Sequence, residues 1–155
     1  MKRLITVCVV VFGMTAMAAT RIQADSESHS VTAAGRGTFA AGAALGAVAL
    51  HGLELGSGVL IDPDGSASGN FHAVLQGTTL GSARELTIEG TVIGGSIGAD
   101  GRATFSGTAS FDFGDGTPPL PAVPFQVTAG ADGLVLVIDS TTLTAGLPSG
   151  GISIE

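Results

Sequence analysis

Hydrophobic or small residues alternate with polar ones most regularly between Ala103 and Phe113. One face of this segment carries Ala, Phe and Gly residues, and the other carries Thr, Ser and Asp residues. Strict alternation with a period of two predicts a β-strand with one buried face, and the Asp-Gly pairs on both sides predict turns. The segment therefore predicts an antiparallel strand, and the segments around it predict the rest of the same sheet system.

Similar alternating segments precede and follow this one. A predicted hairpin joins a strand ending at Ile61 to a strand with Phe71, Ala73 and Leu75 on one face, through a turn at residues 62–65. Further strands are predicted at residues 86–93, 123–127, 134–138 and 150–154. No segment has the periodicity of an amphipathic helix.

The number and spacing of these segments predict an all-β fold. About seven to nine short strands, separated by Gly and Asp turns, are typical of an antiparallel β-sandwich, and a small β-barrel is the alternative. Residues 134–138 favour the sandwich. They are apolar on both faces, which predicts a strand that is covered on each side.

Residues 38–50 are rich in Ala and Gly and have no clear period. Two glycines in G-x-x-x-G spacing allow a membrane helix as one interpretation, but the scattered glycines and the lack of basic flanking residues argue against it. We prefer a strand from Ala47 onward. A bulge at Gly52 then returns Leu53 and Leu55 to the inner face.

The N-terminus predicts export. Lys2 and Arg3 precede a short apolar run, and Ala16–Ala18 supplies an A-x-A pattern. These features are typical of a secretory signal peptide, here residues 1–18. Cys8 is the only cysteine, so cleavage leaves a cysteine-free mature chain without disulfides. We expect a periplasmic or extracellular location.

The remainder divides into a flexible N-terminal lead at residues 19–34 and a single β domain at residues 35–155. After cleavage, four arginines stand against thirteen acidic residues and no lysine remains, a formal net charge of −9. An acidic, glycine-rich chain without a basic stripe predicts no nucleic-acid partner. We also expect no stable membrane span once the signal peptide is removed.

Two groups of residues are candidate metal ligands. Asp112 and Asp115 lie in an acidic glycine turn of the kind from which extracellular modules assemble calcium sites. His51, Glu54 and His72 would suit zinc or copper if the bulge brings them to one face, with His72 opposite the position after Glu54. The alternatives are ordinary turn chemistry for the aspartates and solvent-exposed strand positions for the histidines.

No catalytic residues and no organic cofactor are predicted. No G-x-S-x-G elbow stands on a predicted strand-to-helix turn, and no glycine-rich stretch is followed by the Lys and the helix of a phosphate-binding loop. The chain also lacks the Trp and Tyr residues that commonly stack on sugars. We therefore expect that it is not an enzyme. Four phenylalanines predicted to face inward are candidates for an apolar ligand pocket: Phe71, Phe105, Phe111 and Phe125.

Residues 103–107, the glycine-rich loop after them, residues 124–127 and the ending at 150–154 resemble the C-terminal β domains of post-COAP type in bacterial secreted proteins. The resemblance implies a secreted β accessory module and carries no assigned activity. The sequence thus predicts a structural or adhesion-type module that binds an unidentified protein or surface partner, with Gly114–Pro121 as its exposed loop. The alternatives are a carrier of small apolar ligands and a metal-binding protein.

Overall fold

A computed structural model describes residues 27–155. The predicted signal peptide, its cleavage site and Cys8 lie outside the described residues. The described part is all-β, with no helix among residues 27–155. Its strands are β1 (His29–Phe39), β2 (Ala44–Leu45), β3 (Val48–Ile61), β4 (Ser66–Thr79), β5 (Ser82–Ile97), β6 (Ala103–Asp112), β7 (Leu120–Gly130), β8 (Gly133–Ile138) and β9 (Thr141–Ile154).

Eight of these strands form a closed antiparallel barrel. From β3 to β9 each strand pairs with the next one along the chain, and β1 pairs with both β3 and β9 to close the sheet. The two-residue strand β2 is attached outside this ring, to β3. Closure removes the unpaired edges that an open sheet presents to solvent.

The sandwich prediction is therefore wrong, and the barrel alternative is correct. The prediction depended on β8, whose residues are apolar on both faces. Leu134, Leu136 and Ile138 are buried inside the barrel, whereas Val135 and Val137 lie half-buried on the outer wall. Valine is enriched in strands, and the two valines are only half-buried here, so the apolar outer face of β8 did not indicate a covering layer.

The Ala- and Gly-rich segment at residues 38–50 contains the end of β1, a turn, β2 and the beginning of β3. The register between β3 and β4 shifts between Leu50 and Gly52, and Leu53 and Leu55 are buried. The predicted bulge at Gly52 is thus confirmed. Within residues 27–155, no helix has the length and apolar character needed to cross a bilayer.

The first and last strands are longer than predicted. β1 begins at His29, so residues 29–34 of the predicted lead belong to the barrel. β9 is one strand from Thr141 to Ile154, whereas the sequence predicted a separate short strand at residues 150–154. Its first part pairs with β8 and its last part with β1, which is what allows the sheet to close.

Phenylalanine rings occupy the centre of the barrel. Phe71 stacks on Phe125 with ring centroids 5.4 Å apart, and it meets Phe105 at 6.1 Å. Gly90 makes room for this cluster, since a Cβ at this position would lie 2.6 Å from the ring of Phe125. The alternation of small and large inward-facing residues thus lets side chains fill the barrel.

The antiparallel order places the connections at two ends. The terminal end holds both ends of the described chain, joined by the Ser30 N–H donating to the Glu155 carbonyl at 2.8 Å, and the turns at residues 62–65, 98–102 and 131–132. The proline end holds residues 40–47, the Leu80-Gly81 turn, the loop at residues 113–119 and the turn at residues 139–140.

Candidate functional site

The four phenylalanines proposed as a ligand pocket are core residues. Each is only 2% to 4% exposed. Phe71, Phe105 and Phe125 form the central cluster, and Phe111 packs against Phe113 with ring centroids 4.8 Å apart. Each of the four rings thus contacts another ring in the core of the barrel.

His51, Glu54 and His72 all lie on the outer wall, but the structure does not arrange them as a ligand set. His51 is exposed within the bulge of β3. Glu54 points towards β1, where its Oε1 lies 2.9 Å from Nε of Arg36 in an exposed ion pair. Among residues 27–155, no group of three or more His, Cys, Asp or Glu side chains is placed to hold a metal ion.

His72 is one register position away from the predicted one. It lies opposite Gly56 rather than Leu55. The reason is the connection after Ile61. It leaves Ser66 as well as residues 62–65 unpaired with β3, so that Ile61 pairs with Ala67. A loop one residue longer than assumed shifts every partner in the hairpin by one position.

The other neighbour of His72 is Glu89 on β5. The two side chains lie at a shallow depression of about 430 Å³ on the outer wall, which Asn70 and Ser110 also line. Sequence reasoning missed this pair because it did not fix the β4–β5 register. The signal was Gly81, which follows Leu80 in a two-residue turn. Both turn residues have positive φ, 50° and 82°, which is typical of a tight hairpin turn.

Asp112 and Asp115 lie at the proline end, and each closes its own turn. The Asp112 carboxylate accepts a hydrogen bond from the Gly114 N–H at 2.8 Å. The Asp115 carboxylate accepts from the Thr117 hydroxyl at 2.6 Å and from the Thr117 N–H at 2.9 Å. These two donors lower the pKa of Asp115, with a smaller contribution from the Arg84 charge. The geometry thus matches the turn interpretation. Among residues 27–155, no third acidic side chain joins Asp112 and Asp115 to form a calcium site.

The loop that contains Asp115 is fully on the surface. Residues 114–122, which are the loop and the first three residues of β7, are all exposed. Leu120, which begins β7, exposes 51% of its surface. The loop is fixed at its start, where the Arg84 guanidinium donates to the Gly114 carbonyl at 3.3 Å. At its end, Ala122 has a φ of 57° beside the irregular pairing of β6 with β7. The structure therefore presents an ordered apolar loop at this end of the barrel.

A cleft of about 500 Å³ opens at the terminal end. It lies between the start of β1, the turn at residues 62–65 and the connection from β5 to β6, and its polar lining includes Glu27, His29 and Asp62. Sequence reasoning assigned Glu27 and His29 to a flexible lead and Asp62 to a turn. Only closure of the barrel brings these segments together, so no local pattern indicated the cleft.

A scan of protein-family models gave no match to this chain, and neither the curated proteins nor the solved structures contained a match. The resemblance to post-COAP-type domains therefore stays a prediction from the sequence.

Proposed function

We propose that this chain is an exported, non-enzymatic module that binds a partner protein through the loop Gly114–Pro121. The barrel serves as a rigid support for that loop. The post-COAP-type resemblance points the same way, since it implies a secreted accessory module without an assigned activity. The export itself is inferred from the N-terminal sequence pattern.

The observation that carries the proposal is the combination of exposure and order in this loop. Three prolines, at positions 118, 119 and 121, each fix the backbone φ near −65°, and the Asp115–Thr117 turn precedes them. A segment that is already ordered loses little conformational entropy when it binds. Between the prolines, Leu120 offers an apolar side chain that is half exposed.

The sequence of the loop indicates what kind of partner fits. Pro118-Pro119-Leu120-Pro121 has the P-x-x-P spacing of segments that dock in aromatic-lined grooves as extended proline-rich ligands. The loop also carries Asp115 and follows Asp112, so a groove with a basic rim would complement it. We therefore expect an exported protein with an apolar, aromatic-lined groove.

The test is affinity capture with the purified mature protein, followed by direct binding of the captured protein. The test variant is Leu120→Asp, which places a charge in the proposed apolar contact, and we expect at least about a tenfold loss of affinity, equivalent to 1.4 kcal/mol. The matched control is Leu80→Asp, at a fully exposed leucine of the same end.

A partner that binds the wild type and Leu80→Asp equally, but binds Leu120→Asp weakly, supports the proposal. Equal binding to all three proteins would show that the loop is not the contact. Failure to capture any exported protein specifically would also count against a partner-binding role. Thermal melts of all three proteins show whether a loss of binding reflects unfolding.

A further inference from the structure

We propose that the cleft at the terminal end of the barrel binds a small organic cation with an aliphatic portion, such as an alkylammonium ion. This site lies at the opposite end from the proline-rich loop. The two proposals are therefore independent, and one can fail without the other.

The cleft has an apolar floor. Ile61, the last residue of β3, is 2% exposed, and Ile97, the last residue of β5, is partly buried against the core. Pro63 and Ala99 add apolar surface from the two neighbouring turns. A pocket with a predominantly apolar lining and a few polar groups is the usual form of a small-molecule site.

Hydrogen bonds hold the walls of the cleft in place. The Gly95 N–H donates to the Gly65 carbonyl at 3.1 Å, which ties the β3–β4 turn to β5. On the β1 side, the Ser28 hydroxyl donates to Oδ1 of Asp62 at 2.6 Å. The cleft is thus formed by backbone and side-chain contacts that do not depend on a ligand.

Asp62 is also oriented by these contacts. Its Oδ1 accepts from the Ser28 hydroxyl. Its Oδ2 lies 3.3 Å from the Ser66 hydroxyl, whose proton goes to Asp64 at 2.6 Å. Each carboxylate oxygen has two lone pairs, so both retain capacity for a further donor. An ammonium group has three N–H donors and no acceptor, and a fixed carboxylate loses little entropy when it binds one.

The charge of the lining selects a cation. Among residues 27–155, Glu27 and Asp62 supply two carboxylates to the lining, and His29 is its one basic side chain. Arg102, in the neighbouring β5–β6 connection, is 2.7 Å from Asp132 and 3.8 Å from Asp100 in ion pairs away from the cleft. A compact ammonium group beside two carboxylates with its alkyl chain on the Ile61 floor satisfies both the charge and the apolar surface.

The experiment is a titration of the folded mature protein with hexylammonium at about pH 8, where histidine is generally neutral, followed by two-dimensional NMR of the backbone amides. Hexanol and hexanoate, with the same alkyl chain, are the neutral and anionic comparisons. We expect saturable shifts at Gly95, Ser96 and Gly98, which line the cleft, with an affinity for hexylammonium at least about tenfold higher than for the other two.

The variant with both Glu27→Gln and Asp62→Asn should lose this preference, because both side chains keep their size but lose their charge. Asp64→Asn is the matched control, since Asp64 belongs to the same turn but does not line the cleft. The absence of saturable shifts in the wild type would overturn the proposal. Equal binding of the three probes, or an equal loss in Asp64→Asn, would overturn it too.

Discussion

At the scale of single residues, the carboxylates of the turns act on their own backbone. Asp64 and Asp115 are each followed by Gly and then by Ser or Thr, and each accepts hydrogen bonds from the N–H and the hydroxyl two positions later. Both carboxyl groups have a lowered pKa, mainly because the hydroxyl donor favours the ionised form. Because the D-G-[ST] pattern is visible in the sequence, these two turns and their hydrogen bonds could be predicted from it.

The Thr117 hydroxyl sets the pKa of Asp115. In Thr117→Val the hydroxyl donor is lost while the N–H donor remains, so we expect the pKa of Asp115 to rise towards its ordinary value. A pH titration of the carboxyl carbons by NMR measures this change. Asp64 is the internal control, because its partner Ser66 is unchanged. A pKa of Asp115 that stays the same would show that the hydroxyl does not determine it.

The same shift gives the turn a dependence on pH. The pKa of Asp115 is lower in the folded chain than in the unfolded one, so its ionised form stabilises the fold above the unfolded pKa. This contribution is lost as the pH falls through the folded pKa. The difference in thermal midpoint between the wild type and Thr117→Val should therefore be larger at neutral pH than in strong acid.

At the scale of strands, local alternation identified most elements and their buried faces. β6 runs from Ala103 to Asp112 with Ala103, Phe105 and Phe111 buried, as predicted, because which face is buried depends only on the strand's own sequence. The register between strands was harder to predict from the sequence, because it depends on the length of each turn. The turn before β4 is one residue longer than predicted, so His72 pairs with Gly56 instead of Leu55.

Inward-facing glycines allow neighbouring strands to approach where the barrel bends. At Gly107 on β6, an added Cβ would overlap the Thr91 carbonyl of β5, next to the register shift between Val92 and Gly94. The obstacle is backbone, so a flexible side chain cannot move aside to relieve it. The alternation placed Gly107 on the inward face of this strand, but it did not predict the close approach of β5, which depends on the register between the two strands.

We expect Gly107→Ala to lower the free energy of unfolding by about 1 to 3 kcal/mol, the typical range for overpacking a core. The matched control is Gly56→Ala. A Cβ at Gly56 has no heavy atom within 4 Å, so its effect should stay within about 0.5 kcal/mol. Urea unfolding curves of both variants measure these values. If both variants lose a similar free energy of unfolding, then the loss reflects strand propensity and not the close approach of β5 to Gly107.

At the scale of the whole molecule, closure distinguishes a barrel from a sandwich. It depends on β1, which pairs Val31 with Val59 on one side and with Ile154 on the other. The second pair joins the two ends of the described chain, and no local pattern specifies it. Sandwiches and barrels both bury alternate residues of each strand. The sequence therefore predicted the inward faces and the strand type, but it did not predict that the first strand pairs with the last one.

Closure also decides what the interior can hold. The strands bring phenylalanines from β4, β6 and β7 to the same level, where Phe71 contacts both Phe105 and Phe125. A carrier of apolar ligands needs open space at this point, whereas a supporting scaffold needs dense packing. The contacts between the rings favour the scaffold, and this is the property that the proposed loop requires.

Removal of one ring tests whether the interior is filled. We expect Phe125→Ala to lower the free energy of unfolding by about 3 to 5 kcal/mol, the cost of a large cavity in a core. Phe113→Ala, at a partly buried ring, should cost less. If the variant still folds, an apolar cavity of this size should bind benzene, seen as a rise of its thermal midpoint that the wild type does not show. An equal rise in the wild type would instead place an open apolar pocket inside the native barrel, and the carrier alternative would then replace the scaffold.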